Sequence, residues 1–347
     1  MDLKQRIIAM AGIMSISGHE AKARPALTEQ LGDVIDEIIT DAVGSHLCIR
    51  RCGRPDAPKI LIDAHFDEIG MMVTEILEDG FLRVINVGGI DTRILQAAEL
   101  LIYGTETIYG VVAATPPHLL KPGEGKKLKP VNELLIDTGY TKEEVEKIVR
   151  IGTPVGFVPH YVELLDNKLA GKGMDNKSCA AAAVHALAGL DRAEMAGDVY
   201  LLLAAQEETT MVGAATGALR VDPDYALVVD VTHGKTPDTK SGSAFPLGGG
   251  NVVSVSATTD RRLTKRLVAL LEEKEIKFTR AIEASSTGTD ATVTQLVGCG
   301  IPTAVASLPL RSMHTYFEML SLDDAEELVK LIAAFVCDEK IAEVFAR

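Results

Sequence analysis

The 347-residue sequence contains no apolar run near the ~18 residues that a membrane-spanning helix needs. It has no Cys-x-x-Cys pair. Its cysteines (Cys48, Cys52, Cys179, Cys299 and Cys337) are odd in number, which argues against a disulfide framework and for a reducing cytoplasm. Basic residues are outnumbered: 35 Lys and Arg against 49 Asp and Glu give a formal charge of −14. Nucleic-acid phosphates demand basic patches, so that class of partner is excluded, while metal cations and the ammonium ends of peptides are favoured. Internal repeats and low-complexity tracts are absent. The apolar stretch at 7–14 follows Asp2 and carries no small-residue cleavage pattern, so it reads as an amphipathic first helix rather than a signal peptide.

What is present is an ordinary soluble composition, 47% hydrophobic and 24% charged, with length for about two domains. Helical patterns at 2–12 and 20–36, broken at Ser17 and Gly18, precede a short buried strand at 59–64. From 70 to 165 short β-like runs dominate (81–85, 100–103, 109–113, 154–158 and 162–165), cut by Gly and Pro as in small barrels or sandwiches. One amphipathic helix, 141–149, interrupts them. Beyond 170, helices at 177–190, 212–219, 260–274 and 321–336 alternate with strands at 199–205, 225–230, 252–256 and 302–306. The last helix opens on Ser321-Leu-Asp-Asp324, a capping-box pattern. This alternation predicts an α/β fold with a central mixed sheet and helices on both faces. Residues 1–66 and 167–347 are expected to form it, with 67–166 as an inserted β-rich, barrel-like domain.

In open α/β sheets, sites form beyond the carboxyl ends of the strands. Those ends carry His65, Asp67 and Glu68, then Gln206, Glu207 and Glu208, then Asp230, and later Met313 and His314. Asp175 joins them from the mouth of an alanine-rich helix, just past Gly171 and Gly173. There it is either an N-cap or a ligand, and Asn176 can cap in its place. His65 and Asp67 share a face of extended chain, so the carboxylate can accept the spare ring N–H of a metal-bound imidazole. A core histidine satisfied by its neighbours is the alternative. Glu207 and Glu208 follow seven apolar residues, and burying both unpaired costs several kcal/mol. No Lys or Arg lies within that strand or loop, so a cation is the expected compensation. Consecutive residues point opposite ways, so one of the two can bind metal while the other faces water as a base. His233 competes with Asp230 and His314 as a ligand but reads as a loop residue, and His185 reads as a core residue. Five ligands are too many for one tetrahedral ion and about right for two. Asp175, alone in its segment, is the natural bridge.

The motifs Ser17-Gly-His-Glu20, Ala64-His-Phe-Asp-Glu-Ile-Gly70, Val87-Gly-Gly89 and Gly110-Val-Val112 with His118-Leu-Leu occur in that order. They are followed by Gly171-Lys-Gly-Met-Asp175, Gln206-Glu-Glu208, Val229-Asp-Val-Thr232, Gly288-Thr-Asp-Ala291 and Met313-His314. In this order and spacing the whole chain resembles the tetrahedral (TET-type) aminopeptidases, co-catalytic dizinc exopeptidases, some of which carry an older cellulase label. The resemblance implies that His65 and Asp230 hold one metal, that Glu208 and His314 hold the other, and that Asp175 bridges them. It also implies Glu207 as general base and Asp67 as the residue that orients His65. The inserted domain would serve dimer contacts, dimers would close into a hollow homododecamer, and the substrates would be the N-termini of short peptides. Three positions differ from the commonest pattern: Asn176 after the bridging aspartate, the run Leu247-Gly-Gly-Gly-Asn251, and Tyr316.

The sequence therefore reads as a cytoplasmic aminopeptidase with two divalent ions per subunit, zinc first, with cobalt or manganese also suited to His and carboxylate ligands. The rival readings are a related deacylase or carboxypeptidase-type amidohydrolase, a metal-free glycosidase using paired carboxylates, and a non-catalytic assembly subunit.

Overall fold

The computed structural model describes residues 1–119, 128–240, 242 and 244–346. Leu120, which closes the His118-Leu-Leu motif, lies outside the described residues. In chain order the elements begin with α1 (Leu3–Ala11), α2 (Arg24–Leu31), β1 (Glu37–Thr40), β2 (His46–Arg50) and β3 (Lys59–His65). The insertion supplies β4 (Gly70–Ile76), β5 (Leu82–Val87), β6 (Glu99–Tyr103), β7 (Thr107–Val112), β8 (Ile136–Asp137), α3 (Lys142–Ile148) and β9 (Pro154–Phe157). Then come β10 (Tyr161–Leu164), β11 (Lys168–Gly171), α4 (Met174–Gly189), β12 (Asp198–Ala204), α5 (Val212–Val221) and β13 (Tyr225–His233). The chain ends with β14 (Asn251–Ser256), α6 (Arg261–Glu273), β15 (Phe278–Glu283), α7 (Ala291–Thr294), β16 (Thr303–Leu310), β17 (Glu318–Ser321), α8 (Leu322–Val336) and α9 (Glu339–Phe345).

Eight strands form one mixed sheet in the order β1-β2-β12-β3-β13-β16-β14-β15. Its centre, β12, β3, β13 and β16, is parallel, while β2 and β14 join it antiparallel. The central strands read as unbroken apolar runs because helices cover both faces. On one face Ile60, Ile62, Leu201 and Leu203 pack in a core with α1, α4 and α8. On the other, Leu61, Leu202 and Ala226 meet α5. Alanines 180–183 are all fully buried, so α4 lies close against the sheet. The approach of α5 to β12 is closer still: a Cβ at Gly213 would fall 2.4 Å from the backbone of Ala205.

The insertion closes on itself as a six-stranded barrel, β4-β5-β8-β7-β6-β9, which leaves it no open sheet edge. Strict alternation of exposed and buried residues along β7 turns one side chain in two into the barrel core. Of the expected β-runs there, β5, β6, β7 and β9 correspond, whereas β4 and the two-residue β8 had no separate signal. The stretch at 162–165 pairs elsewhere. Left-handed Asp166 and Asn167 turn β10 back onto β11, and with β17 these strands make a separate three-stranded sheet. The helix expected at 141–149 forms with a full capping box between Thr141 and Glu144.

Two other expectations are corrected. The 20–36 stretch is helical only as a 3-10 turn and α2 with a terminal 3-10 turn, because Gly32 adopts a positive φ that ends the α-helix. The capping box at Ser321 is not made. Ser321 forms no side-chain cap bond, and the Asp324 carboxylate instead accepts the N–H groups of Gly248 and Gly250, each at 2.7 Å. All five cysteines are unpaired. No helix among the described residues is long and apolar enough to cross a membrane.

Candidate metal centre

The parallel strands all end on one side of the sheet, and their ends gather the residues singled out in the sequence. His65 closes β3, Asp230 lies near the end of β13, Glu207 and Glu208 follow β12, and His314 lies in the loop after β16. Asp175 reaches them from the first turn of α4. Gly173 precedes that helix in the left-handed region (φ 66°), Asp175 itself is non-helical, and the Asp175–Asn176 peptide is cis. No N–H of the helix bonds the Asp175 carboxylate among the described residues, so it does not act as a cap. Asn176 does not cap either; its side-chain amide donates to the Val229 carbonyl at 2.9 Å.

His65 Nε2 lies 3.1 Å from Asp175 Oδ1, 3.6 Å from Asp230 Oδ1 and 3.9 Å from Glu207 Oε2. On the other side of Asp175, His314 Nε2 is 3.5 Å from Asp175 Oδ2 and 3.3 Å from Glu208 Oε2. Two groups result, His65–Asp175–Asp230 and Asp175–Glu208–His314. In each, the ligand atoms fall within 4.8 Å of one another, and Asp175 belongs to both. His233 joins neither group.

The electrostatics follow from the crowding. Burial, reinforced by Asp230, Asp175 and Asp67, pushes the Glu207 carboxyl up to about 8 against the pull of His65. Burial and the charge of Asp175 raise Glu208 well above the ordinary carboxyl value, and burial also raises Asp230. Asp175 goes the other way: burial opposes ionisation, but hydrogen bonds from His314 and His65 hold it well below the usual range. His65 is raised despite its burial by Asp175, Asp230 and Asp67. Among the described residues, no Lys or Arg forms an ion pair with Asp67, Asp175, Glu207, Glu208 or Asp230. A divalent ion in each group would reverse this penalty, since bound cations invert the local pKa logic. Imidazole and carboxylate donors at this spacing fit zinc-type ions.

Around these side chains lies a frame of buried carboxylates. Asp67, fully buried, accepts the N–H groups of Glu207 (2.9 Å) and Glu208 (3.1 Å), and its Oδ1 stands 3.5 Å from His65 Nδ1. Glu20 accepts from Gly18 and Gln206, each at 2.9 Å. Glu318, which sequence reasoning missed, accepts the N–H of Asp175 through Oε2 and that of His314 through Oε1, both at 3.0 Å. Its only sequence signal is its place four residues beyond His314, at the first position of a strand. Glu68, another of the strand-end acids, joins neither ligand group and is paired with the buried Lys172 and Lys177. The barrel contributes Gly88 and Gly89. A Cβ on Gly89 would come within 3.1 Å of His314 Nδ1, so this loop lies close against the ring. Tyr316 packs in a tilted arrangement against Phe157 of the barrel, with ring centroids 5.5 Å apart. His185 is half-buried on α4 rather than in the core.

A family model for the M42 glutamyl aminopeptidases matches residues 45–331. A lysyl aminopeptidase of Pyrococcus furiosus is 32% identical over 341 residues, 96% of each chain. An aminopeptidase from the archaeon Desulfurococcus kamchatkensis superposes with a TM-score of 0.88 at 30% identity, covering 96% of this chain and 94% of that one. The TET1 peptidase of Pyrococcus horikoshii, which can assemble into a tetrahedron or a large octahedral shell, gives 0.84 at 29% identity, covering 96% and 99%. With the fold matched over nearly its whole length and the family model over most of it, the chain belongs to the M42 glutamyl aminopeptidase family of peptidases.

Proposed function

We propose that the protein is a dinuclear metal-dependent aminopeptidase that releases N-terminal residues from short peptides. The observation that carries this reading is the pair of three-ligand groups sharing Asp175. His65 and Asp230 would hold one ion, Glu208 and His314 the other, and Asp175 both. Zinc suits the donors best, with cobalt or manganese as alternatives. When bound, the ions would acidify the attacking water and polarise the scissile carbonyl.

The chain's own residues supply the rest. Glu207 takes a proton from the water as its oxygen bonds to the carbonyl carbon, then gives it to the leaving nitrogen as the C–N bond breaks. The Asp67 carboxylate fixes Glu207 and Glu208 through their N–H groups, while its backbone carbonyl, 3.2 Å from His65 Nδ1, orients that ring. Glu318 fixes Asp175 and His314 in the same way. The acidic surroundings attract the free α-ammonium of the substrate.

Residues 67–166 are proposed to be the dimerisation domain. Outward-facing Tyr109 and Val111, 66% and 44% exposed on β7, offer it an apolar contact. The family likeness supports dimers closing into a dodecamer, and the unpaired cysteines suit a reducing cytoplasm.

Replacing Glu207 with Gln should lower kcat by ~10²–10⁴ while two metal equivalents per chain are retained on elemental analysis. Near-native turnover in that variant would remove Glu207 from the mechanism. Stripping with a strong chelator should abolish hydrolysis of aminoacyl-nitroanilides, and zinc, cobalt or manganese should restore it. Hydrolysis of N-acetylated peptides at the rate of free ones would instead favour a deacylase.

A further inference from the structure

Between α1 and α2 the chain brings basic side chains to the seam with the barrel. His19 opens a 3-10 turn over Glu20–Ala23, and the Lys22 N–H donates to the His19 carbonyl at 3.2 Å. Residues three apart eclipse in a 3-10 helix, so His19 and Lys22 share one face. That face borders a cleft of about 290 Å³, whose opposite wall is the barrel's Tyr103, Ile148, Arg150 and Thr153. At ~30 Å³ per water, this space takes a small solute rather than a single solvent molecule. The barrel wall is fixed. Thr153 N–H donates to the Arg150 carbonyl and Arg150 N–H to the Thr153 hydroxyl, each at 3.0 Å. Beside them Gly104 lies so close to Ile148 that a Cβ would fall 2.2 Å from its carbonyl oxygen.

The charge of the cleft opposes that of the chain. Among the described residues no Asp or Glu lines it, although the sequence carries 49 acids against 35 bases. Lys22 pairs with no carboxylate among those residues, and the Arg150 side chain donates only through Nη1, to the Glu146 carbonyl. Glu20 turns inward onto the N–H groups of Gly18 and Gln206. Glu68, whose charge reaches the Tyr103 hydroxyl, is matched by Lys172 and Lys177. Exposed Glu106 and Glu146 flank the barrel wall in sequence without lining the cleft. Burial and Lys22 lower the His19 imidazole, so at neutral pH it offers an N–H rather than a further charge.

We infer that this cleft binds an oxyanion, a carboxylate or phosphate, held by Lys22 and Arg150 with hydrogen bonds from His19 and Tyr103. Ammonium and guanidinium both give charge-assisted bonds, and a concave surface of one sign concentrates the opposite charge. Two sources carry that chemistry. One is the free α-carboxylate of a short peptide whose amine lies at the metal centre, a source that rests on the aminopeptidase reading above. Ser17, two residues before His19, meets the Thr209 hydroxyl at 3.1 Å, and Thr209 follows Glu208. Extended chain covers ~3.3–3.6 Å per residue, so a peptide of roughly three or four residues has the reach. The other source is free phosphate, which would tie the 3-10 turn to the barrel.

The test titrates inorganic phosphate by calorimetry into the metal-loaded wild type, Lys22→Glu and Arg150→Glu. It also compares kcat/KM for Leu-Gly-Gly and its C-terminal amide in the same three proteins. Both side chains are exposed, so neither substitution opens the core. Phosphate affinity should fall about tenfold or more in each variant, whereas phosphate held by the metal ions alone would not respond. A wild-type preference for the free acid over the amide, reduced about tenfold in the variants, makes the peptide's carboxyl end the occupant. Weakened phosphate binding with an unmoved acid-to-amide ratio assigns the cleft to a free oxyanion. Phosphate binding that ignores both substitutions, together with an unmoved ratio, would overturn the site. If neither peptide is hydrolysed, the aminopeptidase reading fails and the phosphate titration still decides the cleft.

Discussion

Glu318 touches the centre only through backbone. One carboxylate spans the N–H groups of Asp175 and His314, so it sets the separation between the bridging ligand and one of the imidazoles. Burial and Asp175 raise its carboxyl well above the ordinary value, and the two N–H donors resist that rise. Replacing Glu318 with Ala should weaken metal binding by ~10–100-fold, the usual effect of removing a residue that orients ligands. Competition with a chromogenic chelator measures this, and unchanged affinity would make Glu318 a packing residue only. The proposed ligands were legible in the sequence because His65, Glu208, Asp230 and His314 are polar residues at or just past apolar strands and Asp175 stands at the mouth of an alanine-rich helix. Glu318 was not, because its work is done on N–H groups of distant segments, and nothing in composition marks such a partner. Asp324 misled for a related reason: its spacing from Ser321 fits a cap, but two glycine N–H groups offered it stronger company.

At the level of elements, the segment between α1 and α2 is anchored to the strand end by Glu68. Its backbone bridges Ser15 and Ser17, and its carboxylate faces Lys172 and Lys177, with Lys177 Nζ at 3.0 Å and also on the Ile13 carbonyl. Burial raises the Glu68 carboxyl, but two ammonium groups overcome it and the net shift is downward. Lys177 must share that one carboxylate, so burial wins there and pushes its ammonium down to about 7. Glu68→Gln leaves the buried Lys172 ammonium unpaired and should cost ~3–5 kcal/mol in denaturant unfolding at neutral pH. The folded pKa of Glu68 lies below the unfolded value near 4.5. Its stabilisation is therefore complete above that value and is lost as pH falls through the folded one. The gap between wild type and variant should close on acidification below 4.5, and a gap independent of pH would contradict the assignment. The β1–β2 hairpin was missed at this scale although its turn is written plainly: Asp41 accepts the N–H groups of Val43, Gly44 and Ser45. Its strands lack the apolar alternation that flags a β-pair, since β2 is buried throughout.

For the whole molecule, the alternation of helix and strand after 170 was enough to place a mixed sheet, and the Gly- and Pro-cut runs were enough to place a small β-rich, barrel-like insertion without its closure. Strand order and closure depend on pairings between distant segments and were not readable. If the barrel is the dimer contact, Tyr109→Asp should reduce the particle mass in multi-angle light scattering. An unchanged mass would move the contact elsewhere. The loop at Gly88 and Gly89 gives this scale a further meaning. Because its bare backbone abuts the His314 ring, the insertion is not an interchangeable cassette. A barrel grafted from a relative must reproduce that contact, and recombinants would be expected to lose function first at this seam.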